Sequence, residues 1–136
     1  MTDRGSDTDL DALTVALTAA RAADAKKGHD IVVLDVSAIL AIADYFVILD
    51  APNRRLVRTL VDEIELAVRA ATGLSPLRTE GVREQQWVLM DYGEVVVHVF
   101  LDEIREFYEI ERLYRDAPVV EWRAGEQRAE GHDTTG

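Results

Sequence analysis

The chain has no cysteine, which rules out both a disulfide framework and a thiolate metal centre and fits a reducing compartment. Cations are scarce too: 15 lysines and arginines stand against 26 aspartates and glutamates, a formal net charge of -11. Affinity for a phosphate backbone comes from counterion release by clustered cations, so dominant direct nucleic-acid binding is disfavoured and a basic protein is the better electrostatic partner. No apolar run approaches the roughly 20 residues that span a bilayer. The first ten residues are polar and acidic rather than a basic segment leading into an apolar one. A soluble, cytoplasmic protein without membrane contact is expected. Also missing are a Walker loop, a nucleophile elbow and the Rossmann glycine pattern.

What is present describes one folded domain. With 136 residues, 48% of them hydrophobic, the chain is of single-domain size, and such a domain buries roughly two thirds of the surface its unfolded chain exposes. Residues 1–8 and the segment after Trp122 are polar and aperiodic, so both ends read as disordered, with a domain over 9–118 and a polar tail over 119–136. Leu10, Leu13, Leu17 and Ala20 recur at helical spacing and predict a helix from Asp9 to about Ala25. Ile31 to Val36 and Tyr45 to Leu49 read as two buried strands joined by a tight connection. Leu56, Leu60, Ile64, Val68 and Ala71 make the stripe of a second helix that exits at Gly73. Pro76 to Glu80 predicts a short edge strand, and Trp87 to Met90 with Val95 to Phe100 a hairpin through Asp91-Tyr92-Gly93-Glu94. Ile104, Phe107, Tyr108 and Leu113 predict a helical segment ending before Pro118. The sum is an α/β (α+β) domain with a mixed sheet of about five strands flanked by helices.

Candidate chemistry is thin. Gly5-Ser6 and Asp7-Thr8-Asp9 superficially match the Gly-Ser and paired-aspartate elements of nucleotidyltransferases, but metal-holding carboxylates need rigid placement, and helix capping explains these better. His98 lies in an alternating run with Val96 and Phe100 on its own side; no His or Cys neighbour supplies metal ligands, so a hydrogen-bonded sheet histidine is the ordinary reading and a contact role the functional one. Trp87 and Tyr108 read as core aromatics, whereas Tyr92, in a tight turn, is equally suited to anchoring an interface. Asp91 and the acids that follow, interspersed with Arg105 and Arg112, form either a solvated face or a surface for a basic partner. The residues alone stop at a small acidic binding domain with no catalytic set, no metal and no cofactor.

The segments GHDIVVLDV (28–36), ADYFVI (43–48), Glu80-Gly81, Trp87, DYGEVVVHVF (91–100) and REFYEIERLYRDAP (105–118) occur in an order that resembles the ribosomal silencing factor (Iojap-like) family from about Leu10 to Pro118. The departures are small: Tyr114 stands where the family usually has tryptophan, and Ala51-Pro-Asn replaces a commoner small polar helix opening. The resemblance implies a catalytically degenerate nucleotidyltransferase-like fold. It implies a translational repressor that binds the large ribosomal subunit through its fourteenth protein and sterically blocks joining to the small subunit under nutrient limitation. A role in large-subunit assembly is also implied. It turns Trp87, Asp91, Tyr92, His98, Arg105 and Tyr108 into a candidate partner-binding surface around the hairpin, with Trp87 and Tyr92 as apolar anchors and Asp91 facing a basic side chain. Two other readings stand beside it: a nucleotidyltransferase-like enzyme working through carboxylates such as Asp35 and Asp44, and a homodimeric scaffold.

Overall fold

In the computed structural model, which describes residues 2–123, a six-stranded mixed sheet is sandwiched between unequal layers. In chain order the elements are α1 (Thr2–Ala25), β1 (His29–Asp35), β2 (Tyr45–Ala51), α2 (Arg54–Thr72), β3 (Arg78–Glu80), β4 (Trp87–Asp91), β5 (Val95–Leu101), α3 (Asp102–Tyr108), α4 (Ile110–Leu113) and β6 (Val119–Val120). The sheet runs β3-β4-β5-β2-β1-β6. Its central pair, β2 with β5, is parallel, and every other pair is antiparallel.

α2 forms for reasons visible along its length. The Asn53 side chain caps its start by accepting from the Leu56 amide at 2.8 Å, and Gly73, at φ 80°, closes it with a bond to the Arg69 carbonyl. Val57, Leu60, Val61, Ile64 and Val68 point into the core; Leu56 stays half-buried, and Ala71, expected in the stripe, is exposed. α1 packs differently from the leucine stripe expected of it. Its buried line is Ala12, Val15, Ala16, Ala19, Ala20 and Ala23, while Leu13 and Leu17 sit half-buried at the flank. Small side chains let two helix backbones lie close over one sheet face, and the leucines are left to seal the edge.

Period two then sorts the strands. Val33, Val47, Leu49, Val88, Met90, Val97 and Val99 face α1 and α2 in the larger core. Leu34, Phe46, Ile48 and Phe100 face the other way into a smaller core closed by Val36, Ala43, Ile110 and Ala117. That second layer is thin: two short helices and two loops. It covers the β2-β1 side more fully than the β3-β4 side, where Leu77 and Ile42 stay exposed.

Three expectations need correction. α1 starts at Thr2 rather than Asp9, since an existing helix extends at little cost per added residue. The C-terminal helix is broken at Glu109, which takes a left-handed conformation (φ 47°) and separates α3 from α4. The chain also remains ordered past Pro118: Val119 and Val120 pair with Leu34 and Val33, and Trp122 is buried with its indole N–H donating to the Ile31 carbonyl at 3.2 Å. The half-buried Val120 and the buried Trp122 supply the apolar area that adds a sixth strand at the open edge of β1. The remainder of the expected tail, 124–136, lies outside the described residues.

Candidate functional site

The side of the sheet left thinly covered carries an aromatic chain. Trp87 stacks on Phe100, its cross-strand neighbour, with ring centroids 4.8 Å apart, and touches Tyr108 of α3 at 5.1 Å. Tyr108 in turn meets Phe107 edge-on at 5.0 Å. From Phe100, fully buried, to Phe107, 76% exposed, apolar rings run from the core to the surface. On the other flank His98 packs edge-on against Phe46 at 4.7 Å, and Phe46 against Tyr114 at 5.0 Å.

His98 is held by one specific bond: the Trp87 indole N–H donates to Nδ1 at 3.1 Å. Since Nδ1 must offer a lone pair, the neutral ring carries its proton on Nε2. Burial pushes the imidazole down to about 4, so it is neutral at physiological pH. Nε2 is buried and has no hydrogen-bond partner among the described residues. Beside it opens a shallow groove of about 410 Å³ lined by Leu40, Ile42, Phe46, Leu77, Leu89 and His98, among others. Arg78 and Asp91 stand on its rim and pair with each other at 3.4 Å.

Of the six expected surface residues, Trp87, His98 and Tyr108 come together here. Asp91 is nearby, but one carboxylate oxygen accepts the Gly93 amide at 2.8 Å to shape the turn and the other faces Arg78. Tyr92 is not an exposed anchor. Counting by twos from Val88 and Met90 brings it to the opposite face, where it is buried in the core of Ile64 and Val68 and burial pushes its hydroxyl up to about 12. Arg105 is not a border residue either. It is buried, with Nη1 donating to Asp50 and to the Asp30 carbonyl, both at 2.8 Å, and Nε donating to Glu111 at 2.8 Å. Burial raises the Asp50 carboxyl and the Arg105 guanidinium opposes that shift. Arg105 therefore ties α3 and α4 to β1 and β2.

Sequence reasoning missed Ile42, Leu77 and Leu89. Ile42 is 85% exposed and Leu77 75%. The available signal was an isoleucine in a loop of small residues and a leucine directly after Pro76, neither serving any element's periodicity.

A second, larger cleft of about 900 Å³ lies around Asp50 and Arg105 and includes His29, Asp30, Glu109 and Arg112. Its buried charges are engaged with one another. Asp35, named above as a candidate catalytic carboxylate, accepts from the Ser37 amide at 3.0 Å and the Ser37 hydroxyl at 2.6 Å, a turn-closing arrangement. Among the described residues no group of three or more His, Asp or Glu has the geometry to hold a metal ion. No helix among them is long and apolar enough to cross a membrane.

A family model described as ribosomal silencing factor during starvation matches residues 9–135. A relative from Halalkalibacterium halodurans named ribosomal silencing factor RsfS is 39% identical over 103 residues, covering 76% of this chain and 87% of that protein. The protein of the same name from Bacillus subtilis is also 39% identical over 103 residues, covering 76% and 86%. A crystal structure of a Chromobacterium violaceum protein superposes with a TM-score of 0.71 at 32% identity, over 74% of this chain and 83% of that one.

Proposed function

This chain belongs to the ribosomal silencing factor family, and from that membership we propose that it represses translation by binding the large ribosomal subunit through the subunit's fourteenth protein, so that its bulk blocks the small subunit from joining. The observation that carries the contact surface is the open side of the sheet, where the ring chain of Trp87, Tyr108 and Phe107 is joined through the Trp87–His98 hydrogen bond to a groove lined by exposed Ile42 and Leu77. Aromatic and aliphatic groups clustered on an otherwise strongly charged surface are what a protein partner desolvates most favourably. A steric blocker needs affinity and volume rather than bond chemistry. The same proposal extends to the fold as a catalytically degenerate nucleotidyltransferase-like sheet, to a cytoplasmic location, and to assistance in late large-subunit assembly.

Purified chain added to dissociated subunits should reduce joined ribosomes in a gradient, with inhibition saturating as large subunits become occupied. Undiminished joining at full occupancy would refute steric blocking. Ile42→Asp, at a position too exposed to disturb the core, should weaken large-subunit binding at least tenfold, by analogy with charges placed in desolvated interface centres. Unchanged affinity would move the contact to another face. Incubation with magnesium and labelled nucleoside triphosphates separates the enzymatic alternative: turnover abolished by Asp35→Asn would overturn the binding-module reading.

A further inference from the structure

Behind the wall of the groove beside the hairpin lies a buried side-chain nitrogen, His98 Nε2, that has no partner among the described residues. Trp87 occupies His98 Nδ1, which fixes the ring and commits its proton to Nε2. Nε2 is then a donor in apolar surroundings with no acceptor, and a buried unpaired donor costs free energy that an added acceptor would recover. Its neighbours are Phe46 on β2 and the groove-lining Leu40, Leu89 and Val96, all without side-chain oxygen or nitrogen. Arg78, the cation that lines the groove, already faces both Asp91 and Glu80, so among the described lining residues none is left over for a phosphate.

We propose that this groove takes a loop of the ribosomal protein partner that inserts an aliphatic side chain between Leu40, Leu77 and Leu89 and sets a main-chain carbonyl oxygen against His98 Nε2. The inference rests on the proposed function and adds to it the chemistry of the contact. The occupant is protein rather than RNA because most of the lining is apolar, the groove's Arg78 already faces Asp91, and the whole chain carries a formal charge of -11. It is a carbonyl rather than an ammonium or guanidinium group because the available atom donates and cannot accept. Nε2 is covered in the free protein, so the half-buried Leu40 and Leu89 shift aside as the loop enters. His98 is thus a specificity-determining residue, and Trp87, by choosing its tautomer, a positioning residue.

The test is nuclear magnetic resonance of the full ¹⁵N-labelled chain, with the isolated fourteenth protein of the large subunit as the titrant. Long-range proton–nitrogen correlations should show the Nε2–H tautomer in the free chain. On titration that proton should move downfield and exchange more slowly with solvent, while the Leu40 and Leu89 methyls shift. His98→Phe should raise Kd about tenfold, the loss of one neutral hydrogen bond with its donor removed. His98→Gln, whose amide can donate from the same place, should stay within about threefold of the native value. An Nδ1–H tautomer, or a complex that leaves the Nε2 proton unmoved, overturns the contact, and this readout stands even if His98→Phe fails to fold. Failure of the native chain to bind the titrant removes the proposed partner and this contact with it. Binding with an unshifted groove removes only the contact.

Discussion

His98 and Tyr92 lie a few residues apart on one hairpin, and both carry a buried polar atom without a partner among the described residues. Their consequences differ. His98 titrates at about 4 in the folded chain against 6.5 when exposed, so the unfolded chain takes up a proton first as pH falls. A depressed folded value means the stability is fully present above pH 6.5 and is lost as pH drops toward 4. At about 1.36 kcal/mol per unit the loss approaches ~3 kcal/mol. Melts of the native chain and His98→Gln across that window should converge by an amount of that order; parallel curves would show that the histidine is hydrated or already charged. For Tyr92 the removable element is the hydroxyl. Tyr92→Phe should leave stability unchanged or raise it by about 1 kcal/mol, because it deletes a desolvated group that gains no bond. Tyr92→Ala, by contrast, should cost ~3–5 kcal/mol by emptying the core beside α2. Chemical denaturation of both variants measures the pair, and a large loss in Tyr92→Phe would mean that the hydroxyl has a partner. The residue-level lesson is about parity. Its place in the turn leaves Tyr92 equally open to core and interface, and the family resemblance tips it toward an anchor, but strand alternation continues one step into the turn and decides its direction.

Where local pattern and tertiary packing agree, elements were legible in the sequence. α2 has both caps and a continuous apolar stripe, and the hairpin has two β-rich runs flanking a glycine-containing turn, so both appear as expected. α1 was legible as a helix but not in orientation, because alanines carry little hydrophobic signal and yet provide the closest approach. Ala19→Leu should therefore destabilise by ~1–3 kcal/mol through overpacking, although it raises helix hydrophobicity. A thermal melt at or above the native value would mean that α1 can retreat from the sheet. The apolar spacing of the C-terminal segment predicts one helix, and nothing in it announces the break at Glu109. What holds the break is the buried Arg105 network, and Arg105→Met should cost ~3–5 kcal/mol by taking the guanidinium from the buried Asp50 carboxylate and leaving it only the exposed His29 imidazole at 3.9 Å. Adding Asp50→Leu should recover much of that loss, since the uncompensated charge then disappears; a double variant no more stable than the single would place the energy in α3–α4 docking itself.

At the scale of the whole molecule, charge and shape act at different ranges. The formal charge of -11 acts on the approach of the chain to any partner, whereas in the proposed function the open aromatic face decides what happens on contact. Composition made the first legible and the family resemblance located the second near the hairpin. Neither could say which hairpin residues face outward, because that follows from how thinly α3, α4 and the loops cover the second sheet face. If the partner is a basic ribosomal protein, attraction should speed association with that protein in isolation, and added salt should slow it by screening. On the intact large subunit the same protein is surrounded by RNA phosphates, which repel an acidic chain. The two contributions have opposite sign, so the on-rate to the intact subunit should fall less with salt than the on-rate to the isolated protein, and at the lowest ionic strengths should even rise. Stopped-flow association followed by the fluorescence of Trp87, which lies in the proposed contact, over roughly 30 to 300 mM salt spans the range in which the screening length falls from well above to below ~10 Å. A steeper salt-induced fall on the intact subunit would require this acidic chain to be drawn in by further cationic surface on the particle, and the contact would then extend well beyond the hairpin face.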